Sequence, residues 1–358
     1  MKTKTIFAIL LSFLLFYCTD KFELPQEPID RGTGNVSDTV YIQQNPLWTG
    51  FNKPQDMIIG KETFIYVCDT DNDRIVMMNM AGQILGTKYI KHPIAIDQDY
   101  QLNLIVCAQF DTLIGGTQQT LSAVYKIDLF SAGHQIGNAP MTRILPKTSF
   151  DFLKVNREYS GVCVFKNNSF YIARRGPNNT DKIDPDNAIL VYEKKTRSNG
   201  VVVDTLTTKL PLLAPEGTGL LSMNQISSLT SFDNDTKNFI ITLIGLNYFK
   251  VQWLEYVSRT DFEGYQSKLS TVETDMMISD RFDQPEDVCI DKSGKIYVAD
   301  AGRDSVYVFN TFGDELQSFG GANVFNDPHA VAFFDKTLYV LDTGNDRIVR
   351  FILSTEIK

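Results

Sequence analysis

Two of the three histidines in this chain fall at corresponding places in repeated segments. His92 and His329 each stand two residues before an apolar triplet, Ile94-Ala95-Ile96 and Val331-Ala332-Phe333, and Glu286 stands likewise before Val288-Cys289-Ile290. Imidazole nitrogen and carboxylate oxygen suit a divalent ion such as zinc or calcium. In three further copies the same place carries Gln55, Ser160 and Ser227, so the six residues are expected to form a polar ring, for which water alone is a sufficient filling. A second chemical feature is the pair Arg174-Arg175, which stands where other copies have Asp. Adjacent guanidinium groups can clamp a carboxylate, a phosphate or an acidic sugar, although Asp181, Asp184 and Asp186 offer them ion pairs instead. The sequence shows no Ser-His-Asp set, phosphate loop or Cys-His metal cluster. With only Trp48 and Trp253, a stacking platform for sugar chains has little support.

The elements that must position these residues are legible as repeats. Residues 53–78, 284–309 and 327–351 each read apolar strand, turn, apolar strand, polar turn, apolar strand. A sheet that small buries both faces only by stacking on its neighbours. First strands recur at residues 57–59, 94–96, 162–164, 288–290 and 331–333, with a degenerate copy at 229–231, which gives six units. Their near-continuous β-branched and aromatic runs suit strands covered on both faces. The last unit runs out of chain after its third strand, and residues 38–44 are expected to supply the missing outer strand and close a ring. The fifth unit should own its outer strand at residues 315–320. Cys68, Cys107, Cys163 and Cys289 replace small residues of other copies and are expected to be unpaired core thiols. Insertions gather on one rim, in second-to-third turns at residues 108–121 and 174–187 and in the segments leading into first strands at 145–160, 210–227 and 271–284. Long loops on one rim of a rigid scaffold are where recognition usually resides.

The runs Asp69-Thr70-Asp71-Asn72-Asp73-Arg74-Ile75 and Asp342-Thr343-Gly344-Asn345-Asp346-Arg347-Ile348, with Pro285-Glu286-Asp287-Val288 and Asp300-Ala301-Gly302-Arg303-Asp304, resemble the NHL repeat family. The resemblance covers nearly everything after Val36. It implies an all-β, six-bladed β-propeller closed by an N-terminal strand, with the Asp and Asn as turn formers. Pro328-His329-Ala330-Val331 also resembles the zinc-binding Pro-His segments of the peptidyl-hydroxyglycine lyases. That likeness implies an alternative activity, a metal-dependent lyase or hydrolase at the mouth of the central channel, with His92, Glu286 and His329 holding one divalent ion. Only His329 follows the full Pro-His pattern, and Glu286 alone does not recover the metal set of the sugar-lactonase propellers.

Residues 1–17 carry Lys2 and Lys4 and then an apolar run from Ile6 to Tyr17, which reads as a secretory signal too short to span a bilayer comfortably. Cys18 at its end resembles the lipidated cysteine of a bacterial lipoprotein. Residues 18–37 then read as anchor and tether, and 38–358 as the propeller. With 34 basic against 43 acidic residues the formal net charge is −9, a poor match to nucleic acid. The sequence thus leads to an expectation of a monomeric, cell-envelope lipoprotein that needs no cofactor. It would bind an envelope protein or small ligand on the insertion-rich face, through Arg174 and Arg175.

Overall fold

The repeated apolar runs fold as six four-stranded antiparallel sheets in a computed structural model that describes residues 40–270 and 272–356. The first strand, β1 (Tyr41–Thr49), belongs to the last sheet. Blade one is β2 (Asp56–Ile59), β3 (Ile65–Asp69), β4 (Arg74–Met78) and β5 (Ile84–Tyr89). Blade two is β6 (Ala95–Gln98), β7 (Asn103–Ile114), β8 (Thr117–Asp128) and β9 (Met141–Leu145). Blade three is β10 (Glu158–Val164), β11 (Phe170–Arg175), β12 (Ala188–Thr196) and β13 (Val202–Lys209), and blade four is β14 (Ile226–Ser231), β15 (Phe239–Leu243), β16 (Val251–Ser258) and β17 (Glu263–Ser267). Blade five is β18 (Pro285–Ile290), β19 (Ile296–Asp300), β20 (Ser305–Phe309) and β21 (Glu315–Gly320). Blade six is β22 (Pro328–Phe334), β23 (Thr337–Asp342), β24 (Arg347–Leu353) and β1. Among the described residues there is no α-helix, only single-turn 3-10 segments.

The second strands of blades one, four and five, β3, β15 and β19, are buried at every residue because a neighbouring blade covers each face. One apolar cluster fills each blade–blade interface. Tyr66, Cys68 and Met77 of blade one, for example, meet Ile96, Leu104 and Val106 of blade two. The four cysteines from Cys68 onward are free thiols packed into these interfaces.

The ring closes as expected but with different bounds. β1 pairs antiparallel with β24 from Tyr41↔Leu353 to Thr49↔Arg347, with a register shift between Gln44 and Trp48. The strand therefore runs past residue 44. Pro46 lacks an N–H and sits in the bulge, after which Trp48 regains the ladder and packs on Tyr339, ring centroids 5.8 Å apart. Residues 1–39, including the signal segment, Cys18, the tether, Asp38 and Thr39, lie outside the described residues.

The Asp-containing turns between second and third strands clasp successive blades. In blades one and six, Asp69 and Asp342 accept from Arg74 Nε and Arg347 Nε, both at 2.6 Å, within their own turn. The second Asp of each motif, Asp73, Asp304 and Asp346, is left-handed and accepts the backbone N–H of the next blade's lead-in residue, respectively His92, Asp327 and Lys53, at 2.7–2.8 Å. Thr70 and Thr343 add hydroxyl bonds to the carbonyls of Pro93 and Pro54. These residues are turn formers as expected, and they also fix one blade against the next.

Blade two departs from expectation. Residues 108–121 are not a loop: β7 and β8 stay paired from Ala108↔Ala123 to Ile114↔Thr117, and Gly115-Gly116, both at positive φ, make a two-residue hairpin turn. The insertion is a β-arm standing off the rim.

Candidate functional site

All six first strands start at the rim that carries the insertions, and their ends enclose a cavity of about 310 Å³ at the mouth of the central channel. Gln55, His92, Ser160, Ser227, Glu286 and His329 all line it, joined by Glu158 and Arg175. A second cavity of about 390 Å³, lined by Lys61, Tyr100, Asp233 and Lys292 among others, lies at the opposite end of the channel.

The strand register changes the place of His92. Asp56 pairs with Cys68 and Ala95 with Cys107, so the blade-two residue equivalent to Gln55 is Ile94, and His92 corresponds to Lys53 and Asp327. It shares their left-handed backbone, φ 46° beside 46° and 59°, and stands further out on the rim. Its Nδ1 lies 3.8 Å from Asp71, while His329 Nε2 lies 3.2 Å from Asp327. His92, Glu286 and His329 do not converge, and among the described residues no group of three or more His, Cys, Asp or Glu side chains is placed to hold a metal ion. The three-ligand metal centre of the alternative reading is therefore not formed.

The two arginines also part company. Successive residues of a strand point to opposite faces. Arg174 is buried and is consumed by Asp184 Oδ1 at 2.9 Å, by the Asp186 carbonyl at 3.0 Å and by the Pro185 carbonyl. Arg157 completes this network through Asp184 and Asp186. The bonds from Lys209, Arg157 and Arg174 hold the Asp184 carboxyl well below the usual range, against the opposing effect of its partial burial. Arg175 turns the other way, into the channel mouth, where its Nε donates to Glu158 Oε2 at 2.7 Å. A joint clamp by the two guanidinium groups is thus excluded, and Arg175 alone faces the mouth.

Glu286 is half-buried and accepts no hydrogen bond among the described residues. Burial pushes its carboxyl up, while His329 and Arg175 pull it the other way. Below the ring the sequence hides a second set of acids. Asp56 accepts from Ile96 N at 2.7 Å, Asp97 from Val164 N at 2.7 Å and Asp287 from Val331 N at 3.0 Å. In each case a carboxylate caps an N–H on the innermost strand of the following blade, a group the sheet leaves without a ladder partner. All three are raised by burial first, Asp97 to about 6, and the Asp287 charge adds to the rise at Asp56. These acids went unnoticed in the sequence because their partners lie one blade away. The one available signal was a carboxylate inside an otherwise apolar first strand.

A family model described as NHL repeat matches residues 282–309. NHL repeat-containing protein 2 of Gallus gallus is 28% identical over 160 residues, which is 41% of this chain and 20% of that protein, so the likeness spans about a fifth of the relative's length. Among solved structures, a protein of unknown function from Bacteroides thetaiotaomicron is similar with a TM-score of 0.53 and 14% identity, over 87% of this chain and 73% of that one. The PQQ-bound aldose sugar dehydrogenase of Streptomyces coelicolor is similar with a TM-score of 0.54 and 12% identity, over 88% and 98%. At such identities the likeness concerns the fold, which enzymes and proteins of unknown function share. The chain is a six-bladed β-propeller, and its residues 282–309 match the NHL repeat.

Proposed function

We propose that this propeller binds a small polar ligand at the channel mouth on its insertion-rich face. The observation that carries the reading is a cavity of about 310 Å³ into which Arg175 and the unpartnered Glu286 both point. That volume lies near the lower end for ligand pockets, and few convergent polar groups on a rigid scaffold are their usual equipment. The inserted segments of blade three reach the cavity at their strand ends, through Glu158, Ser160 and Arg175. The signal-like residues 1–17 and Cys18 support export and lipid anchoring in a bacterial cell envelope, with the propeller working as a monomer. A thermal-shift screen of small polar metabolites tests the binding function. Stabilising compounds should lose their effect on Arg175→Ala, and compounds that stabilise both proteins equally would argue against the mouth.

A further inference from the structure

The mouth carries two opposite charges that do not meet. Arg175, the last residue of β11, uses Nε on Glu158, its direct partner across the β10–β11 ladder, and its terminal amino groups have no hydrogen-bond partner among the described residues. Glu286, the second residue of β18, likewise accepts none. They face one cavity from blades three and five, with blade four between them, and no ion pair joins them. The intervening hydroxyls do not fill the gap with free donors: Ser160 bonds the Ile226 carbonyl at 2.6 Å, and Ser227 bonds the Pro285 carbonyl at 2.7 Å. His329 is held by Asp327. Directed at the cavity are then the terminal amino groups of Arg175 on one side, with Glu158 engaged by its Nε, and the Glu286 carboxylate on the other, beside the uncharged Gln55 amide.

Resting on the reading of the mouth as a ligand site, we infer that its ligand is a small zwitterion, a free α-amino acid or short unblocked peptide, with its ammonium group toward Glu286 and its carboxylate on Arg175. A purely anionic ligand would face the Glu286 and Glu158 charges, and a purely cationic one would leave the Arg175 terminal amino groups without an acceptor; like charges brought together in a half-buried site oppose binding. A zwitterion meets both groups with the opposite sign, and the guanidinium fork matches a carboxylate geometrically. The cavity volume suits a molecule of one or two residues.

The test is saturation-transfer NMR with a library of unblocked dipeptides, the same library N-acetylated and the same library C-amidated. Calorimetric titration of the strongest binder and its two blocked forms then gives affinities. Each blocking group should weaken binding about tenfold or more, the usual effect of losing one charge-assisted hydrogen bond. Glu286→Gln should abolish the discrimination against acetylation and Arg175→Gln the discrimination against amidation. Blocked peptides that bind as well as free ones, or discrimination unchanged in both variants, would overturn the zwitterion. If other metabolites bind with the Arg175 dependence while no zwitterion does, the inference falls and the ligand site stands. If nothing in either set responds to the two substitutions, both fall.

Discussion

Arg174 and Arg175 are adjacent in sequence and opposite in role. Arg174 lies in a buried network with Asp184, Asp186 and Arg157, so Arg174→Ala leaves the Asp186 and Pro185 carbonyls without its donors and takes one of three cationic donors from Asp184. The expected loss is about 3 kcal/mol or more, read as a lower denaturation midpoint. Arg175→Ala removes a half-buried group on the cavity wall and should leave the stability within about 1 kcal/mol of the parent. The channel acids carry a pH dependence. Asp97 titrates at about 6 in the folded chain, above the ordinary carboxylate range. A raised carboxyl contributes stability that is present below the unfolded value and lost as pH rises through the folded one. Stability should therefore decline between about pH 4 and 6 on its account, and urea titrations of Asp97→Asn should show a flatter profile across that window. Asp184, held low, acts in the opposite sense: its contribution is present above the usual carboxylate range and disappears in stronger acid. The alternation that separates the two arginines follows from β11 running on to Arg175, whereas the sequence alone suggests a turn over residues 174–187. The channel acids were not legible in the sequence either, because what they bond is set by the packing of blades rather than by neighbours in the chain.

Among the elements, β1 decides whether the ring holds. Trp48 packs in the interface of blades six and one, and a Cβ on Gly82 of blade one would come within 2.3 Å of its indole ring. Trp48→Ala should cost about 3–5 kcal/mol, the usual penalty for emptying a site that size, and a denaturant titration measures it. Gly82→Ala should also be strongly destabilising, since it combines that clash with a backbone φ of +83°. A Trp48→Ala protein as stable as its parent would contradict the closure described above. Closure itself followed from counting strands in the last repeat, but its register did not, because the bulge around Pro46 interrupts the alternation. The blade-two arm was announced by Gly115-Gly116 between two polar-apolar runs, a hairpin signal masked by reading the insertion as a loop. His92 was misplaced by aligning apolar triplets; the cross-strand pairs Asp56↔Cys68 and Ala95↔Cys107 give the register that sequence alone left open.

For the whole molecule, the six-fold repetition made the architecture readable in advance, since each small sheet demands neighbours on both faces. The site was less readable, because a ring is assembled from residues far apart in the chain and its outcome depends on which way each side chain turns. Anchoring makes a separate expectation. No helix among the described residues is long and apolar enough to cross a membrane. If Cys18 is acylated, Cys18→Ala should move the protein from the membrane to the soluble envelope fraction, because each buried methylene of an acyl chain contributes roughly 0.8 kcal/mol. Membrane association unchanged by that substitution would remove the lipid anchor from the account. The most direct measurement of the central claim is a crystal structure of the protein with the compound that gives the largest thermal shift. The expected result is that compound in the channel mouth, between Arg175 and Glu286. The same compound bound elsewhere on the molecule, with only water between those two side chains, would contradict it.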